Sequence, residues 1–191
     1  MKAEEKITEQ FLQLLKPHYQ AAASYCRGLN PDHHDDILQE ALLKALRGFP
    51  SLRDHSQFKS WLFRIITREA ATFHRRYFWR RFLEWDSAQW ERHHDAVAGL
   101  QTEELYQLLH ALDHLPRKKR ETILLFEIGG FAITEIAAFY LESESAVKSR
   151  LARTKRELKQ WLIAGLREST KPRTMLEMYD EVATDFSRSR N

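Results

Sequence analysis

Two stretches of the sequence place cations where they could grip a polyanion. Between Lys148 and Lys159 six bases meet one acid, Glu157, a local balance of +5. At helical periodicity Val147, Leu151, Thr154 and Leu158 share one face. The opposite face then presents Ser145, Lys148, Ser149, Ala152, Arg153 and Arg156. A helix that reads a DNA groove needs long cations for phosphates, and short side chains where its backbone nears the base edges. The N-terminal turns of this helix offer both, and Arg156 and Lys159 suit phosphates or solvent. The preceding run RKKR (Arg117–Arg120) adds weight to a gripping face over a merely solvated one. The second stretch runs from Arg64 to Phe82. Six arginines (Arg64, Arg68, Arg75, Arg76, Arg80, Arg81) face one acid, Glu69, with Phe73, Tyr77, Phe78, Trp79 and Phe82 interleaved. Cations that track a backbone, with aromatics beside them, suit single-stranded nucleic acid. Trp61, Phe63 and Phe73 are expected in the core; Tyr77, Phe78 and Trp79 suit either base stacking or packing.

Other chemistries find little support. Of nine histidines, His110 and His114 have helical ligand spacing, but Ala111 stands where an HExxH site carries its glutamate. His33-His34 and His93-His94 are the other pairs. The single cysteine, Cys26, lies in the small and apolar run AAASYCRGL and reads as a packed thiol. The sequence contains no GxGxxG, P-loop or GxSxG motif. No catalytic residue, metal or cofactor is therefore expected. The N-terminus is charged, and no apolar run reaches the eighteen or so residues of a membrane span. A cytoplasmic protein without membrane insertion is expected.

The elements that must position these residues read as helices throughout. Hydrophobic residues are 43% of the chain, enough for cores, while six Gly and five Pro among 191 residues are too few for the turns of an all-β fold. Apolar spacing predicts helix over Ile7–Leu29, split or kinked by Pro17. A second helix runs from about His33 to Arg47, closed by Gly48, with Ile37, Ala41, Leu42, Ala45 and Leu46 inward. Pro50–Gln57 reads as a loop and Phe58–Phe82 as a long third helix. Periodicity fades from Leu83 to Thr102, where four acids meet one base. Helices resume at Glu103 and again after Pro116, and stop at Gly129-Gly130. Ile133–Leu141 and the basic helix from Ser145 then have helix-turn-helix spacing. Ile136, Ala137 and Tyr140 should pack the first of the pair. Leu141 is the candidate apolar plug of the turn. Ala132 at the first helix's cap lacks a side-chain acceptor, a loss of roughly 1 kcal/mol.

LPRKKRETILLFEIGGFAITEIAAFYLESESAVKSRLARTKREL resembles region 4 of the sigma-70 family of bacterial transcription initiation factors, in the form of the extracytoplasmic-function (ECF) group. Upstream, DDILQEALLKALRGF and LRDHSQFKSWLFRIITREAATFHRR resemble region 2, with Trp61, Leu62, Arg64, Glu69, Ala70, Arg75 and Arg76 keeping the pattern. The resemblance implies that Asp36, Gln39 and Glu40 bind the clamp of the polymerase's largest subunit. It implies that Leu52, Arg53, Asp54, His55, Ser56, Lys59, Arg64, Arg68, Arg75 and Arg76 contact the minus-ten element. It gives the minus-thirty-five element to Ser145, Lys148, Ser149, Ala152, Arg153 and Arg156. Core RNA polymerase (clamp, and flap of the second-largest subunit), promoter DNA and an anti-sigma factor are the implied partners.

The expected architecture is all-α. Residues 1–82 form one small helical domain, 83–102 a flexible acidic linker and 103–166 a helix-turn-helix domain. Residues 167–191 form a tail with a short amphipathic helix. In that tail Met175, Met178, Tyr179, Val182 and Phe186 make an apolar stripe, suited to docking on its own domain, to a regulatory partner or to competition with polymerase. The competing reading is a non-sigma helix-turn-helix regulator with an all-helical partner-binding domain.

Overall fold

The computed structural model describes residues 2–83 and 103–169, and every regular element among them is helical. The chain contributes α1 (Lys2–Leu15), α2 (Tyr19–Leu29), α3 (His34–Gly48) and α4 (Phe58–Leu83) to one bundle. A second bundle holds α5 (Glu103–Asp113), α6 (Arg117–Glu127), α7 (Ile133–Tyr140) and α8 (Glu144–Ser169). Pro17 does split the first predicted helix, and Gly48 closes α3. Pro50–Gln57 is more ordered than a plain loop, since it carries 3-10 turns at Phe49–Ser51 and His55–Gln57. The linker and the tail stripe lie outside the described residues, as do the side chains of Arg76, Tyr77, Phe78 and Trp79.

Periodicity explains the first bundle. Phe58, Leu62 and Ile66 recur at every fourth residue of α4 and are buried, with Phe63 beside them. They meet Ile37, Ala41 and Ala45 of α3 and Tyr25 of α2 in the core. The buried Tyr25 hydroxyl shares a hydrogen bond with Thr67 at 2.9 Å, so its polar tip is not stranded. Lys44 ties α3 to α4 through Glu69 at 2.5 Å. Cys26 is fully buried, and burial pushes its thiol up to about 12.

The two bundles pack on each other. Leu124 of α6 sits on Gly28 of α2, so closely that a Cβ there would stand 2.6 Å from its Cδ2. Phe63 meets Phe131 edge-on at 5.1 Å. Around this apolar contact, cations of each bundle reach backbone carbonyls of the other, two of them in the last turn of a helix. The Arg120 guanidinium donates to the carbonyl of Leu29, the last residue of α2, at 3.1 Å. Arg64 donates to Ala138 in the last turn of α7 at 3.1 Å, with its guanidinium 4.9 Å from the Phe139 ring. Lys59 donates to Gly130 at 2.9 Å and lies over Phe131. Terminal helical carbonyls have no partner in their own helix, and the macrodipole makes them favourable sites for cations.

Candidate nucleic-acid interface

The helix-turn-helix is built around buried Ile136, Ala137, Val147, Leu151 and Thr154. Gly130, at φ +61°, turns the chain out of α6 and into α7. Ala132 has no side-chain cap, as its type requires, but its N–H donates to Glu135 at 2.7 Å, so one half of a capping box survives. Ser143 opens α8, its hydroxyl accepting from Ala146 N–H at 3.3 Å. Glu144 stands in the first turn, where its charge suits the macrodipole, and pairs with Lys148 at 3.5 Å.

The turn departs from expectation. Leu141 is not a plug: it adopts φ +56° and is 90% exposed. Glu142 takes the inward place, held by both Lys118 and Arg150. These cations hold its carboxyl below the usual glutamate range. Arg150 also donates to Thr122, a fully buried residue of α6, at 3.0 Å. The turn is thus fixed by an ionic cluster.

The same helix pair redistributes the RKKR run. Arg117 bonds Glu121 at 2.5 Å, Lys118 joins Glu142, and Lys119 reaches Glu157 at 2.6 Å. Arg120 is buried against carbonyls of Leu29 and Asp113. Lys118 and Lys119 thus tie α6 to the turn and to α8, and Arg120 closes this bundle on the first, whereas Arg117 pairs within α6 and stays exposed.

The face of α8 expected to meet a groove is open to solvent. Ser145, Lys148, Ala152, Arg153 and Arg156 are exposed and Ser149 is half-buried, opposite Val147, Leu151 and Thr154. Arg153 donates to Ser149 at 2.8 Å, one turn back along the helix. The structure thus gathers all six predicted residues on one strip with small side chains between the cations.

In the first bundle Asp36, Gln39 and Glu40 line an exposed edge of α3, beside Leu43, which is 49% exposed. Glu40 pairs with Lys44 at 3.2 Å. The connection before α4 is held open by Asp54, which accepts from the N–H of Ser56 at 2.9 Å and from its hydroxyl at 2.7 Å. Those bonds keep the Asp54 carboxyl below its ordinary range. His55 stacks on Phe49 at 5.0 Å. Arg53, Asp54, His55 and Ser56 stand exposed there, with Leu52 half-buried. Arg64, Arg68 and Arg75 fall within about 40° of one another around α4. Arg68 and Arg75 are exposed, whereas Arg64 and Lys59 are held by the second bundle. The predicted minus-ten set is therefore partly open and partly covered in this conformation.

A sigma-70 region 2 model matches residues 14–80, and a sigma-70 region 4 model matches residues 105–158. The ECF RNA polymerase sigma factor EcfG of Rhodopseudomonas palustris is 30% identical over 130 residues, covering 68% of this chain and 71% of that protein. The chain belongs to the ECF group of the sigma-70 family. Sigma factor SigV of Bacillus subtilis is also 30% identical, over 140 residues, 71% of this chain and 78% of that protein. Among solved structures, the sigma factor RpoE of Bartonella quintana, in complex with the anti-sigma factor NepR, superposes with a TM-score of 0.60 at 27% identity. It covers 81% of this chain and 96% of that one. CnrH, in complex with the cytosolic domain of CnrY, gives 0.61 at 25% identity over 85% and 94%. The first bundle is accordingly region 2 and the second region 4, and Arg64 and Lys59 of region 2 bond region 4. That contact, and the inward turn of Glu142, escaped sequence reasoning; neither leaves a periodic signal. No helix among the described residues is long and apolar enough to cross a membrane, and they contain no cluster of three metal-ligating side chains.

Proposed function

We propose that this ECF sigma factor docks on core RNA polymerase and directs it to promoters through two separate DNA contacts. Residues 1–82 act as region 2 and 103–166 as region 4, with 83–102 between them. The edge of Asp36, Gln39 and Glu40 seats on the clamp of the largest subunit, and region 4 meets the flap of the second-largest. Ser145, Lys148, Ser149, Ala152, Arg153 and Arg156 enter the major groove of the minus-thirty-five element. Leu52–Ser56, Lys59, Arg64, Arg68, Arg75 and Arg76 take the opened minus-ten strand. The observation that carries this reading is the exposed strip on α8, small at Ser145, Ser149 and Ala152, cationic at Lys148, Arg153 and Arg156, with a packed core directly behind it.

The chain supplies no catalytic group; polymerase performs the chemistry, in the cytoplasm. An anti-sigma factor holds the protein inactive, as the complexes of RpoE with NepR and CnrH with CnrY support. Run-off transcription with purified core polymerase on genomic fragments tests the reading. Discrete transcripts that require both polymerase and this chain are expected. Tight operator binding without polymerase, and no transcripts with it, would favour a conventional regulator.

A further inference from the structure

On the side of region 4 away from the α7–α8 turn, α6 and α8 enclose an apolar groove of about 360 Å³. Ile123, Leu158, Leu162 and Ile163 form it, and Glu127, Lys155 and Lys159 stand along it. Ile163 is 40% exposed, a large aliphatic surface on the same helix as the exposed Trp161. Lys155 already answers Glu127 at 2.7 Å, which leaves the groove with one cation in excess.

The chain continues past α8 with a segment complementary to this groove. Thr174–Phe186 reads TMLEMYDEVATDF: Met175, Met178, Tyr179, Val182 and Phe186 recur at helical spacing, and Glu177, Asp180, Glu181 and Asp185 are acids without a base among them. At 3.6 residues per turn Asp185 and Glu181 border one flank of the apolar stripe. Pro172 lies between Ser169 and Thr174, and proline disfavours a continuous helix across that point. The lengths agree: Leu158–Ser169 spans about 18 Å of helix, and a returning helix over Thr174–Phe186 about 20 Å.

We propose that Thr174–Phe186 folds back as a helix antiparallel to α8 and seats its methionine and tyrosine stripe in the groove of Ile123, Leu158, Leu162 and Ile163. Methionine suits a shallow groove of irregular outline, and the acids of the segment offset the basic flank. Region 4 then carries its own occupant along the later turns of α8, C-terminal to the strip that ends at Arg156. The docking stands without the transcription reading above. Its consequence, that the tail competes with polymerase for region 4, rests on that reading.

Methyl NMR on the full chain tests the docking without polymerase or DNA. The Ile123, Leu158 and Ile163 methyl resonances should shift on removal of residues 170–191. A full-length Met178→Asp, Tyr179→Asp variant should reproduce the truncated spectrum, while methyls of Ile37 and Ile66 in region 2 stay in place. Unmoved groove methyls in both variants would overturn the proposal. So would a shift that vanishes on dilution, which would assign the groove to the tail of a second copy.

Discussion

The guanidinium of Arg64, in α4 of region 2, donates to the backbone carbonyl of Ala138, in the last turn of the first helix of the helix-turn-helix. One side chain proposed for the minus-ten strand is thus occupied in capping a helix of the domain proposed for the minus-thirty-five element. Lys59 likewise crosses to the Gly130 carbonyl, in the connection between α6 and α7, and Arg120 of region 4 caps α2 at Leu29. For Lys59 and Arg64 to reach DNA as proposed, their bonds to Gly130 and Ala138 must be given up.

Removing the caps should open the molecule. Each hydrogen bond of a charged donor contributes about 1.5–3 kcal/mol when buried and less at an exposed site. Lys59→Ala with Arg64→Ala should therefore shift the closed-to-open ratio by roughly tenfold or more. Distances between spin labels on α3 and α8 of the free protein would report it as a longer, broader distribution. An unchanged distribution would mean that the Phe63–Phe131 and Gly28–Leu124 contacts close the molecule by themselves.

Charge reversal on the α8 strip should separate DNA binding from polymerase binding. Lys148→Glu with Arg153→Glu should abolish recognition of the minus-thirty-five element by the holoenzyme and leave assembly with core polymerase intact. Neutralising Lys148 alone should lower the slope of log affinity against log salt by about 1. Footprinting and salt titration of the holoenzyme read both, and full promoter activity in the double variant would remove the strip from the interface.

Glu142 should link the turn to pH. Its carboxyl titrates below the ordinary 4.5 in the folded chain because Lys118 and Arg150 hold its charged form. The resulting stabilisation is present above that ordinary value and is lost as pH falls through it toward the folded-state value. Urea unfolding at pH 7 and pH 4 should show a smaller acid loss for Glu142→Gln than for the parent chain. Equal losses in the two proteins would show that the cluster contributes nothing to folding.

Cys26 should report on unfolding. It is the only thiol of the chain, fully buried, and burial drives its ionisation up to about 12. Attack on a thiol reagent needs an exposed thiolate, so labelling at pH 8 should be slow in the native protein and accelerate with denaturant along the unfolding transition. Rapid stoichiometric labelling without denaturant would contradict this burial.

Periodicity made the helices legible, because each buries one face at a fixed phase. Val147, Leu151 and Thr154 point inward as their spacing requires, and the exposed strip follows from them. Charge alone was a poorer guide. RKKR has the composition of a DNA-binding run, yet its partners Glu142 and Glu157 lie 24 and 38 residues from the lysines they bind. Whether a cation faces a phosphate or a carboxylate is decided by tertiary neighbours. Leu141 was misleading for a related reason: hydrophobicity favoured burial there, but the backbone adopts a left-handed turn and the half-buried Glu142 takes the contacts with Lys118 and Arg150. The closure of region 2 on region 4 depends on backbone carbonyls at helix ends, which any sequence would supply.

Gly28 gives that closure an adjustable set-point. Its missing side chain lets Leu124 rest against α2, while the α8 strip and the α3 edge lie elsewhere. Enlarging residue 28, through alanine and then valine, should press on Leu124 at the seam between the two regions while leaving every proposed DNA-contacting residue in the sequence. One backbone position would thus tune closure without touching the choice of promoter.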